Sequence, residues 1–301
     1  MNTQDIGKFG VWANIYNDTY PDQIRLAQQI ERWGYSALWV PDPLQQDPFV
    51  SLTVVAPETD NLFLATGIAN IMTRSPVAMA ATRTSLGELS NGRLILGLGV
   101  SHPEIISGML RMDYRKPVTT MRNYLDAMTP VSVRDNPNQL SASADKEKFG
   151  IVVLAALGNK MLELSATRAD GAHPYLTTPE HTARAREVMG PHSFLAPEQK
   201  ILMIKDAATA RAVARKHVAI YLGLQNYRNN LLTLGFNEED FEQGGSDRLI
   251  DALVAWGDET TIRNRLEAHL DNGANHVCIQ PLRLDGEHGY DYNAIEVFAP
   301  G

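Results

Sequence analysis

Short apolar runs recur along this chain, each followed by a stretch of helical periodicity, and few folds accommodate that alternation. The runs are Phe9 to Ala13, Ser36 to Pro41, Leu62 to Ala69, Arg93 to Gly99, Ile151 to Ala156, Gly171 to Leu176, Lys200 to Lys205 and Asn275 to Pro281. Several are apolar at consecutive positions, as strands covered on both faces should be. Boundary signals repeat between them. Pro21 opens a helical pattern closed by Gly34, and Ser75-Pro76 opens another that ends near Gly92. Thr178-Pro179 to Gly190 and Asp258 to Gly273 follow the same scheme of capping residue or proline first and glycine last. Eight strands alternating with helices predict an α/β fold, a closed (β/α)8 TIM barrel first and a doubly wound open sheet second.

At 301 residues the chain fits one barrel domain over 1–301, with two intervals too long for a minimal unit, near 103–149 and 206–257. The first contains the polar segment Arg134 to Lys148, read as a mobile excursion. The second contains helical patterns at Asn226 to Gly235 and Ser246 to Gly257. Both are expected as insertions at the barrel mouth. A hydrophobic fraction of 44% with 21% charged residues supports a large core. The net charge of -8 argues against a nucleic-acid surface. The single cysteine, Cys278, lies in an apolar run and reads as a core thiol, so neither a disulfide within the chain nor a cysteine-rich zinc site is possible. The N-terminal residues lack the pattern of a signal peptide, and no apolar stretch nears the roughly 20 residues of a membrane span. A cytoplasmic protein without membrane partners is expected.

In a barrel of this kind the reactive face lies at the carboxyl ends of the strands. His102 follows Gly97-Leu98-Gly99-Val100-Ser101, where tight backbone would let a ligand approach. It could move a proton near neutral pH, or merely cap the next helix. Asp42, after strand 2, could serve as a base or an anchor, or cap the segment leading to Pro48. Ala156-Leu157-Gly158-Asn159-Lys160 joins a buried strand to a helix start whose free amides suit a phosphate, although an ordinary loop has the same sequence. Trp12, Trp39, His173 and Tyr175 could wall a pocket for a flat ring, or simply pack the core. Lys205 at a strand end suggests a Schiff base, but Asp206 beside it reads as a helix cap. A metal held by Asp42, His102 and His173 lacks any reinforcing ligand spacing, so no metal is expected.

The stretch Ala80 to Ser101, with Ser90-Asn91-Gly92-Arg93 and Gly97-Leu98-Gly99-Val100-Ser101 inside it, resembles the signature of bacterial luciferase-like monooxygenases and their deazaflavin-dependent relatives. Gly34 to Asp42, Leu64 to Asn70, Ala155 to Gly158, Arg168 to Tyr175 and Leu270 to Val277 agree in order, so the likeness spans roughly residues 8 to 281. Ala172-His173-Pro174-Tyr175 and Asn226 to Leu231 look most like the subgroup dependent on coenzyme F420. The resemblance implies a deazaflavin lying across the mouth. Its ring would rest on a bulge at Gly67, Ile68, Ala69 and Asn70, where a non-proline cis peptide is common, and lie beside Gly99, Val100 and Ser101. Its phosphate would reach Ala156 to Lys160. His102 and Asp42 would then be the catalytic candidates, acting on a small-molecule substrate, and a homodimer is the family expectation. Two departures stand out: relatives carry histidine where this chain has Pro43, and some carry glutamate at the position of His102. A hydride-transferring oxidoreductase is therefore expected, with an FMN-dependent monooxygenase and a non-catalytic flavin-binding protein as alternatives.

Overall fold

The computed structural model describes residues 6–43, 45–128 and 149–300. Its strands are β1 (Phe9–Trp12), β2 (Ala37–Val40), β3 (Phe63–Thr66), β4 (Ala69–Asn70), β5 (Leu94–Gly99), β6 (Ile151–Leu154), β7 (Gly171–Ala172), β8 (Phe194–Leu195), β9 (Glu198–Leu202), β10 (Val254–Trp256) and β11 (Val277–Pro281). They pair in the order β10-β9-β11-β1-β2-β3-β5-β6-β7-β8, with β4 attached to β5, and every pairing is parallel. One bent strand closes this path into a ring. β8 pairs with β7, whereas β9, two residues further on, pairs with β11. Across the bend, the Ala196 and Glu198 amides donate to the Ala172 and Pro174 carbonyls, and the Cys278 amide donates to the Pro197 carbonyl. β8 and β9 are thus one barrel strand, bent at a proline that has no N–H to give to a ladder. The barrel contains eight strands, as expected, and β10 is an extra strand on β9.

Two sequence expectations need correction. The seventh strand lies at residues 194–202 and not at Lys200 to Lys205, because its middle is Glu198, Gln199 and Lys200, polar residues that are nonetheless buried. The helix expected over Ser246 to Gly257 stops at Leu253, and Val254–Trp256 is β10. The helix boundaries otherwise follow the caps. Thr19, Asp47, Ser75, Thr178, Asp206, Ser246 and Asp258 each accept a hydrogen bond from an amide in the first helical turn. The segment Arg134 to Lys148 lies outside the described residues.

Strand residues sort by parity, as a pleated sheet requires. On β2, Ala37 and Trp39 enter the barrel cluster with Trp12, Ala65, Ile95, Val153, Phe194 and Cys278. Leu38 and Val40 pack outward, under the helices, in the larger core. A fully buried leucine or valine of this kind contributes about 1.5–3 kcal/mol. Helices Ala207–Leu222, Gln225–Thr233 and Asp247–Leu253 build a separate cluster with Leu176, Leu202 and Leu282. This cluster carries Tyr227 toward the carboxyl ends of the strands.

Candidate functional site

The first component is a bulge in the third barrel strand. β3 pairs Ala65 with Ile95, and β4 pairs Ala69 with Leu98, so four steps on one strand face three on the other. One residue is in excess, as in any β-bulge. The Gly67–Ile68 peptide within it is cis, and both residues are half-buried where their neighbours are buried. Trp12 Nε1 donates to the Gly67 carbonyl at 2.9 Å. The glycines of β5 explain how the bulge fits. Gly97 and Gly99 share the inward parity of Ile95. A Cβ on Gly97 would stand 2.0 Å from the Thr66 carbonyl oxygen, and one on Gly99 would stand 2.3 Å from Ile68 Cδ1. The space these glycines leave is filled by the bulge, which corrects the reading of Gly97 and Gly99 as room for a ligand.

Asp42 secures the far end of the bulge. Its carboxylate accepts from the Asn70 amide at 3.0 Å and pairs with Arg74. Asn70 Oδ1 in turn accepts from the Met72 amide. Asp42 does not cap the helix at Pro48; Asp47 does.

Beneath Gly67 lies His173, fully buried. Its Nδ1 donates to the Ala196 carbonyl at 2.7 Å, which leaves Nε2 unprotonated and without a partner among the described residues. Burial pushes its pKa down to about 4, so the ring is neutral at pH 7. A Cβ on Gly67 would come within 3.1 Å of that Nε2. Trp39 stacks on the other side of His173 at 4.3 Å and donates to His276. With 0% of its surface exposed, Trp39 lies inside the barrel, stacked on His173.

The second component is an aromatic arc. Trp12 packs on Tyr175 at 5.5 Å, Tyr175 on Tyr221 at 5.4 Å, Tyr221 on Tyr227 at 5.4 Å and Tyr227 on His102 at 5.5 Å. The arc therefore runs from the end of β1 to the residues after β5. Ser101, at a φ of 60°, turns the backbone just before His102, and Tyr114 donates to the Ser101 carbonyl. His102 does not cap the following π-helix Glu104–Met109, which has no side-chain cap. Its Nδ1 instead meets Asn226 Oδ1 at 3.1 Å, and an amide oxygen only accepts. Nδ1 therefore carries the proton, and Nε2 is left free to accept one. Burial lowers the His102 pKa below the ordinary 6.5.

The third component follows β6. Ala156 is buried and Leu157 half-buried, whereas Gly158, Asn159 and Lys160 are exposed. Helix Asn159–Arg168 starts from Gly158 with no side-chain cap, and nothing stands within 4 Å of a Cβ built there. The Leu157 carbonyl is held by His181 Nε2 and by Arg184, each at 3.0 Å. Arg184 otherwise donates to the neutral oxygens of Asn230 and Thr233. Buried Arg184 Nε, His181 Nδ1, Thr177 Oγ1 and Asn230 Nδ2 have no hydrogen-bond partner among the described residues. An uncapped helix start beside a guanidinium without a carboxylate partner suits an anion.

Sequence reasoning missed Tyr221, Tyr227 and the buried pair Glu198 and Lys200. Glu198 and Lys200 sit two apart, hence on one face of a strand, and that spacing was the available signal. Lys205 is not buried, and Asp206 caps the helix after it. Cys278 is a free, buried thiol. Among the described residues no group of three or more His, Cys, Asp or Glu could hold a metal. No helix among them is long and apolar enough to cross a membrane.

Residues 7–276 match the model of the luciferase-like monooxygenase family. The chain belongs to that family. Over 157 residues it is 30% identical to a 5,10-methylenetetrahydromethanopterin reductase of Methanolobus tindarius, covering 48% of this chain and 47% of the relative. The chain thus spans about half the length of this curated relative in the match. Two solved structures share the fold over nearly the whole chain. The coenzyme F420 dependent tetrahydromethanopterin reductase of Methanopyrus kandleri has a TM-score of 0.72 at 20% identity, covering 98% of this chain and 97% of that one. A type II Baeyer-Villiger monooxygenase of Pseudomonas putida, in complex with FMN, has a TM-score of 0.69 at 13% identity with the same coverage. Luciferase-like barrels therefore include both deazaflavin and flavin enzymes, and this chain has the architecture common to them.

Proposed function

We propose that this protein is an oxidoreductase that transfers a hydride between coenzyme F420 and a small organic substrate at the barrel mouth. The observation that carries the reading is the bulge at Gly67–Ile68, a half-buried backbone ledge held by Trp12 and Asp42. The unpartnered His173 Nε2 and the anion-suited corner at Gly158 and Arg184 provide independent signs of fit. The coenzyme would supply the carbon centre that accepts or gives the hydride.

Gly67, Ile68, Ala69 and Asn70 would support the ring from behind, with Val100 and Ser101 along its edge. Ala156, Leu157, Gly158, Asn159 and Lys160 would receive the phosphate, with Arg184 neutralising it. Asp42 is a positioning residue, since its carboxylate is spent on Asn70 and Arg74. His102 would hold or move a proton at Nε2 as charge develops on the substrate. Trp12 and Tyr175 would wall the substrate and exclude water, with His173 and Trp39 as the layers below them.

A sequence match of 30% over 130 residues to a putative coenzyme F420-dependent oxidoreductase of Mycobacterium tuberculosis favours F420. An FMN-dependent monooxygenase is the second reading, since the FMN-bound neighbour has nearly the same fold. Equilibrium titration of the purified protein with each coenzyme, followed by tryptophan quenching, separates the two. Tighter binding of F420 is expected. Tighter binding of FMN, with oxygen consumption on reduction, would reverse the assignment.

A further inference from the structure

The buried charge pair behind the aromatic arc has a directional consequence. Lys200 and Glu198 are each 1% exposed and 3.2 Å apart. Glu198 also accepts from the Leu176 amide at 2.9 Å. Lys200 Nζ donates to Gln280 Oε1 at 2.8 Å and lies 3.9 Å above the Tyr175 ring. A charge pair taken out of water contributes little net stability, so some other role for it is worth seeking.

Hydrogen-bond polarity is fixed from this end. An amine contacting the Gln280 amide head as a donor requires oxygen at that position. This holds wherever the proton shared with Glu198 rests, because the amine keeps an N–H for Gln280 in either state. The Tyr175 hydroxyl, 2.9 Å from the same oxygen, must then donate to it. Its single proton is spent, so in the 3.0 Å contact between Tyr175 and Tyr221 the proton belongs to Tyr221. Tyr221 has now used its own proton inward. What remains on its oxygen is lone pairs alone.

We infer that Tyr221 is a specificity-determining residue that offers only acceptor capacity, and that the substrate presents it with an O–H or N–H donor. Gln280, Lys200 and Glu198 are positioning residues that hold this polarity. The ligand class that fits is an alcohol or amine, in preference to the matching ketone or ether. The inference rests on the mouth being the substrate pocket, as proposed above, and is independent of which coenzyme is bound.

The test uses the purified full chain without coenzyme, so its outcome is separable from the coenzyme titration. Cyclohexanol and cyclohexanone are titrated while the Trp12 indole N–H signal is followed by NMR. That signal is one of four and is assigned with Trp12→Phe. Cyclohexanol is expected to bind about fivefold tighter, the effect of one neutral hydrogen bond. Tyr221→Phe, which keeps the ring, should abolish the preference. Gln280→Leu frees the Tyr175 proton to point outward and should shift the preference toward the ketone. Should Gln280→Leu fail to fold, Tyr221→Phe decides alone. Equal or tighter binding of cyclohexanone, a preference that survives Tyr221→Phe, or no response to either ligand overturns the inference.

Discussion

Gly97 is the position where fold and site are most tightly joined, and a single methyl group tests that join. In Gly97→Ala the new Cβ would sit 2.0 Å from the Thr66 carbonyl oxygen, whereas real contacts of this kind do not fall below 3.0 Å. The bulge must therefore retreat by at least about 1 Å. Thr66 immediately precedes Gly67, and its hydroxyl already donates to the Gly97 carbonyl at 2.7 Å, so the two strands have no slack. Overpacking of this sort costs about 1–3 kcal/mol. For a chain of this size that corresponds to a drop in Tm of roughly 2 to 5 °C. A reacting ring displaced by this distance loses turnover by about 100-fold. Gly223→Ala is the control, because a Cβ there meets only the Ile220 carbonyl oxygen at an ordinary 3.5 Å and the φ of -81° suits any residue. Its Tm should not fall, since alanine adopts this right-handed helical conformation without strain and there stabilises by up to about 1 kcal/mol. Thermal melts and coenzyme titrations on both variants decide the matter. A Gly97→Ala protein with the parent's Tm and coenzyme affinity would show that the bulge is not wedged against β5.

Three further outcomes follow from the same geometry. His102→Asn should lower turnover about 100-fold while changing coenzyme affinity little. Burial lowers the pKa of His102, so the acid limb of kcat/KM in the parent should fall below pH 6.5 and vanish in the variant; a limb at or above 6.5 contradicts the assignment. Arg184→Gln removes the cation beside Gly158 and should weaken coenzyme binding at least about tenfold, the contribution of a charged hydrogen bond. An unchanged Kd would place the phosphate elsewhere. Finally, burial pushes His173, His181 and His276 down to about 4 and His269 to about 3. The unfolded chain therefore binds more protons below pH 6.5, and stability present above that value should be lost as pH falls toward 4. Urea midpoints that stay flat between pH 7 and 4.5 would contradict this.

The strands that sequence reasoning located well are those whose apolar residues run uninterrupted, such as Leu94 to Leu96 and Ile151 to Leu154. The seventh strand lies earlier than its apolar run suggests because its buried face carries Glu198 and Lys200, whose charges are satisfied by one another, by Gln280 and by the Leu176 amide. β10 was read as the end of a helix because Leu253-Val254-Ala255-Trp256 suits either geometry, and only pairing with β9 decides. The capped helices were legible because the capping bond is local to the chain. Gly97 and Gly99 were noticed, but their reason was misjudged, since the atoms that need their space belong to Thr66 and Ile68. The contact of His102 with Asn226 crosses 124 positions, and no local pattern announces it. The family signature did point to Gly67–Ile68, and the cis peptide is there.

Hydrogen–deuterium exchange of the protein with and without coenzyme F420 tests the convergence of the three mouth segments most directly. Protection is predicted together in peptides covering 63–72, 98–104 and 155–162, which are remote in sequence and would each border the ring or its phosphate. Protection confined to one of these stretches, or appearing on the outer helices such as Tyr20–Arg32 instead, would contradict it.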